Sequence, residues 1–327
     1  MQTSLRVVII GASAALSFPG AAEAAAFRDR VISRAGPTAR AAQIQGVTKR
    51  WPAAETTIPV TVASSFKGDP NVAGTYAAFI GTLPHGSEID SLKLAVVPAA
   101  EINGDCGGQD GDGILACYSG DDQTMIIPGD PPPDSTVSVD YVIAHEYGHH
   151  IARHRSNAPL SALDFGPKRW SSYELVCDKA DDNKVMPGDE GQNYAYNPGE
   201  AWAETYARLV FPEQAWRLAP VLAPDKGAYL AAAADVFQPW TRRTSTTLSG
   251  SGTKTFRLPV TLDGAFTLQA SRTPAQIVVK SGSQLAERAV GRKRIHYSIA
   301  CRDKGTETLR ITVKATGRYT LKATYAG

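Results

Sequence analysis

The chain has 327 residues, with 34 Lys and Arg against 32 Asp and Glu, 43% hydrophobic residues and 20% charged ones. That balance excludes an intrinsically disordered chain and supplies enough apolar side chain for a sizeable core. A net charge of +2 gives no electrostatic case for a nucleic-acid partner, and the length suits about two domains.

Met1–Arg6 is short and carries one positive charge, Val7–Pro19 is apolar or small, and Ala22-Glu23-Ala24 fits a small-x-small cleavage pattern. This three-part layout predicts a signal peptide over residues 1–24. The apolar stretch is shorter than the ~20 residues of a membrane span and is broken by Gly11, Pro19 and Gly20, so no membrane insertion is expected after its removal. The mature protein is expected to be secreted, extracellular or periplasmic, where disulfides persist.

Residues 25–44 are rich in Ala and Arg without a clear period, and read as a loose N-terminal arm. Strands are predicted at Ile58–Ala63, Leu92–Val97, Ile114–Tyr118 and Thr124–Ile127, where β-branched and apolar residues cluster. Helices are predicted at Asn71–Leu83, Val137–Arg155, Pro198–Leu209 and Asp225–Phe237, with Pro198 just inside the start of its helix. Residues 243–253 are rich in Ser, Thr and Gly and read as a linker. Six short β-rich segments follow, at Thr255–Leu262, Ala265–Ser271, Gln276–Ser281, Arg294–Cys301, Glu307–Ala315 and Arg318–Tyr325. Their spacing is that of a β-sandwich. The expected fold class is α+β: a domain over 45–242, then a small all-β sandwich domain over 254–327.

The chemistry-bearing segment is His145-Glu146-Tyr147-Gly148-His149, an H-E-x-x-H within a predicted helix. Positions i and i+4 lie about 40° apart on a 3.6-residue helix, so both imidazoles leave on one face. They can take neighbouring corners of a Zn²⁺ tetrahedron, with Glu146 beside the metal to activate water. Gly148 costs the helix roughly 1 kcal/mol relative to Ala, which a close packing contact would justify. A catalytic zinc needs a third protein ligand and an open fourth position. Glu200 and Glu204 are again i and i+4, flanked by Ala201, Trp202, Ala203, Tyr206 and Ala207, as on a buried helix. One carboxylate can ligate the metal while the other holds the free N–H of a ligand histidine.

These two segments together resemble the zincin metallopeptidases of the gluzincin type. The Glu200-Ala-Trp-Ala-Glu204 helix is similar to that of lethal-factor-like peptidases. The resemblance covers the two helices well, the preceding strands loosely and the C-terminal block not at all. It implies that His145, His149 and Glu200 bind one catalytic Zn²⁺, that Glu146 is general base and acid, and that Glu204 supports a ligand. It also implies that a strand near Ala116–Ser119 pairs with an extended substrate along its edge. No third histidine follows His149 closely, which argues against the three-histidine metzincins and against Met186 as their Met-turn.

A tetrahedral oxyanion needs a hydrogen-bond donor. Tyr194 and Tyr196, just before the Glu200 helix, are the candidates, with Tyr206 a third. His150 and His154 form a second i, i+4 pair on another side of the helix, expected to be exposed. Asp105–Gly113 and the acidic loop of Asp178, Asp181, Asp182, Asp189 and Glu190 offer carboxylates for Ca²⁺, although their spacing is not that of an EF-hand and a glycine-rich turn and a solvated loop are the simpler readings. Cys106 and Cys117 bracket a Gly-rich loop and predict a local disulfide, and Cys177 with Cys301 would staple the two blocks, although four cysteines allow three connectivities. The function this implies is a secreted zinc metallopeptidase acting on a protein or peptide substrate. The alternatives are a secreted adhesin or polymer-binding protein with a structural or vestigial metal site, and a zinc amidase acting on a cell-wall linkage.

Overall fold

The computed structural model describes residues 31–32, 44–108, 113–131, 137–281, 284–297, 301 and 308–327. The predicted signal peptide lies outside them. The fold is α+β. Its first unit is a six-stranded sheet in the order β1-β5-β6-β4-β3-β2. The strands are β1 (Val31–Ile32), β2 (Gly46–Ala53), β3 (Thr56–Ala63), β4 (Lys93–Val97), β5 (Cys117–Ser119) and β6 (Thr124–Pro128). The strands β3, β4 and β6 run parallel, as buried apolar runs do in covered sheets, while β2 is antiparallel to β3 and β5 to β6, and β1 runs parallel to β5.

Alternation along β4 divides the packing. Leu94 and Val96 point into the main core with Ile58, Val60, Met125 and Ile127, whereas Ala95 and Val97 join a smaller cluster with Ile102, Cys106, Cys117 and Ile126 on the other face. The main core is completed by α1 (Val72–Ile80) and α3 (Val139–Arg153), then α7 (Pro198–Val210) and α8 (Lys226–Phe237). Short helices α2 (Ile102–Asp105), α4 (Ala162–Phe165), α5 (Lys168–Tyr173) and α6 (Val176–Asp181) fill the connections. No helix among the described residues is long and apolar enough to cross a membrane.

The second unit is all-β: β7 (Arg243–Pro259), β8 (Phe266–Ala270), β9 (Gln276–Ser281), β10 (Gln284–Val290), β11 (Arg294–Tyr297) and β12 (Thr308–Ala326). Two expectations need correction here. Residues 243–253 are not a linker but the first part of β7, paired with β12 as far as Ala326. The segments 307–315 and 318–325 are not two strands but one. It pairs with β7 along its length, with β9 over its first half and with β8 over its second. An irregularity between Lys314 and Arg318, with Gly317 at φ 76°, bends this strand. One six-stranded sheet therefore folds over a single core of Phe256, Leu258, Phe266, Leu268, Ile311 and Leu321, rather than two sheets packing face to face.

The units are tied by side chains. The buried Lys168 Nζ donates to the carbonyls of Asn157 (3.1 Å), Ala158 (2.9 Å) and Asp263 (3.0 Å), and the Asp263 N–H donates to Ser172 Oγ at 2.8 Å. The ammonium also lies 5.0 Å from the Trp240 ring centre. Both disulfides are present, Cys106–Cys117 within the first unit and Cys177–Cys301 between the two. They fit an extracellular protein.

Candidate metal centre

The centre is built where α3 meets α7. Each helix begins on a side-chain cap: Ser138 Oγ accepts from the Tyr141 N–H at 3.2 Å, and Asn197 Oδ1 from the Gly199 N–H at 2.9 Å. Close approach of the two helices needs a residue without a side chain. A Cβ on Gly148 would lie 2.8 Å from Ala203 Cα, and the Gly148 carbonyl accepts the Trp202 indole N–H at 2.8 Å. Gly148→Ala should therefore destabilise the protein by about 1–3 kcal/mol, overpacking outweighing the helix-propensity gain of roughly 1 kcal/mol. It should also weaken metal binding. Urea unfolding and a competitive chelator titration measure the two effects.

This seam brings His145, His149 and Glu200 together, all buried, with ligand atoms within 4.8 Å of one another. Among the described residues no other group of three His, Cys, Asp or Glu side chains converges in this way. His145 Nε2 and His149 Nε2 lie 3.3 and 3.4 Å from the same Glu200 oxygen, Oε2. The imidazole rings are 5.2 Å apart, as i, i+4 spacing dictates. Glu146, on the same helix, is buried too. The three buried carboxylates of Glu146, Glu200 and Glu204 need positive charge to compensate them. A dication at His145, His149 and Glu200 fits both the donor set and the charge.

Glu204 takes the supporting position. Its Oε2 is 3.4 Å from His145 Nδ1, which directs the other ring nitrogen, Nε2, towards Glu200. Its Oε1 is 3.6 Å from Arg217 Nη1, and the Arg217 guanidinium lies 5.0 Å from the Tyr141 ring centre. Burial, and then the Glu204 carboxylate, push the Tyr141 phenol above its ordinary pKa. Sequence reasoning missed Arg217, which sits in an irregular segment after α7. Tyr141 was readable in principle, one helical turn before His145.

Several expected roles change. His150 is buried, not exposed, because α3 is covered by the sheet as well as by α7. Its ring nitrogens meet Tyr118 Oη at 3.0 Å and the Glu88 carbonyl at 2.8 Å, and burial pushes its pKa down to about 4. His154 is exposed as expected, bonded to Gln123 and Ser91. Tyr206 is not an oxyanion donor. It is fully buried and its hydroxyl donates to the Pro84 carbonyl at 2.6 Å. Tyr194 and Tyr196 share one 3-10 turn directly before α7, the first buried and the second 46% exposed. The edge of β5 is already paired: β1 runs parallel along it, Val31 opposite Tyr118 and Ile32 opposite Ser119. In the acidic loop, Asp189 accepts from Gly191 and Asn193, Glu190 from Asn197, and Asp182 pairs with Lys184, so these carboxylates hold local turns. Part of the Asp105–Gly113 loop lies outside the described residues.

No protein-family model matches this chain, and no curated protein matches it. Among solved structures it is similar to a de novo designed double-stranded β-helix, at 13% identity and a TM-score of 0.17, over 25% of this chain and 96% of that one. A likeness of that size carries no argument. The class defined by fold and site together is an α+β protein with a buried His₂Glu group able to hold a metal ion.

Proposed function

We propose that this chain is a secreted zinc-dependent metallopeptidase of the zincin type, cleaving peptide bonds in a protein substrate. The observation that carries the reading is the convergence of His145, His149 and Glu200 from two helices, with Glu146 next to the first ligand. Two imidazoles and a carboxylate are a common ligand set of catalytic zinc. When bound, zinc supplies Lewis acidity that polarises a carbonyl and makes water nucleophilic near neutral pH. His145 and His149 offer their Nε2 atoms and Glu200 its Oε2. Glu204 holds the His145 ring in the tautomer that leaves Nε2 open. Glu146 accepts the proton of the attacking water and returns it to the leaving amine. Tyr196, the exposed member of its turn, is the donor proposed for the oxyanion, and Tyr194, buried in the same turn, is the alternative. An extended substrate pairs with β5 only once β1 has left that edge.

The test is metal content together with cleavage. The purified full chain should hold one zinc per molecule and cleave members of a diverse peptide pool. A chelator should stop cleavage and added zinc should restore it. A chain that carries no metal after zinc loading, or a zinc-loaded chain that cleaves nothing in the pool, would count against the reading.

A further inference from the structure

The near-neutral net charge conceals two units of opposite sign. Residues 243–327 hold 15 Lys and Arg against four Asp and Glu, a net +11, while residues 1–242 hold 19 against 28, a net −9. All 13 described Lys and Arg of the β unit are exposed. Of its described acids, Asp263 is buried against the first unit, which leaves Glu287.

The cations are also aligned. In β12 the side chains of Leu309, Ile311 and Val313 are buried, so Arg310, Thr312 and Lys314 face outward. Arg310 stands directly opposite Arg257 of β7 on one side and opposite Lys280 of β9 on the other. Those two also face outward, since Phe256, Leu258, Ile277 and Val279 are buried. Three cations therefore cross three neighbouring strands in one row, at the inter-strand interval of about 5 Å. Like charges directly opposed in a sheet are destabilising. Among the described residues, every ion pair lies before residue 243, and neither Arg257, Lys280 nor Arg310 takes part in one. Further along the same face, Thr255 and Thr312 share a hydrogen bond of 2.9 Å, and Lys314 follows beside Gln276.

We infer that this face of the β unit binds a linear anionic polysaccharide whose carboxylates pair with the Arg257–Arg310–Lys280 row. The intervening Thr and Gln side chains suit sugar hydroxyls. Around the row, on β7, the first half of β12 and β9, no described aromatic ring is exposed for a nucleobase to stack on. The described apolar members of the face are the half-buried Val278 and, at its margins, the exposed Val290 and Pro259, which are separated on different strands and do not make the contiguous apolar patch that a bilayer would take up. This inference does not rest on the peptidase reading, since the face and the metal centre belong to different units.

The experiment titrates the full chain with polygalacturonate by calorimetry at about 50 and 200 mM salt, where charge-driven binding weakens steeply. Neutral dextran, short duplex DNA and phosphatidylglycerol vesicles are the comparison ligands. The chain should bind polygalacturonate in preference to all three and more weakly at the higher salt. A triple variant, Arg257→Gln with Lys280→Gln and Arg310→Gln, should lose roughly tenfold or more in affinity. Its thermal midpoint should not fall, because opposed charges are being removed. Equal binding by variant and parent, equal binding of dextran, or a preference for DNA or vesicles would overturn the assignment.

Discussion

On the metallopeptidase reading proposed above, Glu146→Gln should cut hydrolysis by about 10²- to 10⁴-fold while leaving the metal bound. Gln has nearly the shape of Glu, so the packing between α3 and α7 is kept, and Glu146 is not one of the three converging ligands. What is lost is the carboxylate proposed, beside His145 on α3, to accept and return a proton. General acid–base groups of this kind contribute about 10²- to 10⁴-fold, and the drop in kcat/KM should fall in that range. His149→Ala provides the contrast: it removes a ligand, so zinc and activity should be lost together. Metal analysis and peptide cleavage on the same preparations separate the two. A Glu146→Gln protein that stays active, or one that loses its zinc, would remove Glu146 from the mechanism.

Lys168→Met should cost the fold several kcal/mol. The side chain is completely buried, and its ammonium satisfies three carbonyls, two in the loop after α3 and one at Asp263 of the β unit. Met fills similar volume but leaves those carbonyls without their donor, at about 1–3 kcal/mol for each that stays dry. Urea unfolding monitored by tryptophan fluorescence reads the loss, since Trp240 lies over the same ammonium. The lysine also gives the parent a pH signature. Burial lowers its pKa from 10.5 to about 8, with Asp263 and Asp235 only partly opposing the shift. Between those values the unfolded chain binds a proton that the folded chain does not. The contribution of this group to stability therefore rises with pH from about 8 to 10.5. The parent should gain stability across that window relative to Lys168→Met, which lacks the group.

The parts of the fold that could be read in advance are those set by local periodicity. The helices of His145 and Glu200 follow from apolar residues at helical spacing, and Gly148 called for a close packing contact, which the structure places at Ala203. What escaped is set by partners distant in the chain. Strand β2 (GVTKRWPA) is almost wholly exposed, so it has no two-residue alternation to read, and it exists by pairing with β3. His150 looked solvent-facing because helical geometry turns it well away from His145, but the sheet covers that side as well, through Tyr118. Gly317 resembles a turn between two strands, and only the pairing with β7 on both sides makes β12 continuous. The charge asymmetry was present in the residues all along, and averaging over the whole chain erased it.

The long strand β12 has a consequence for the order in which the molecule is made. Its last paired residue, Ala326, lies opposite Arg243, the first residue of β7. The β unit therefore cannot complete its central ladder until synthesis has passed residue 326, and pairings this distant in sequence form slowly. The first unit needs nothing beyond residue 242 for its sheet and its metal ligands. The Cys177–Cys301 bond, spanning 124 residues, also awaits the second unit. Assembly should thus run from the N-terminal unit to the C-terminal one. The centre at His145, His149 and Glu200 would then be in place while the basic face is still unformed.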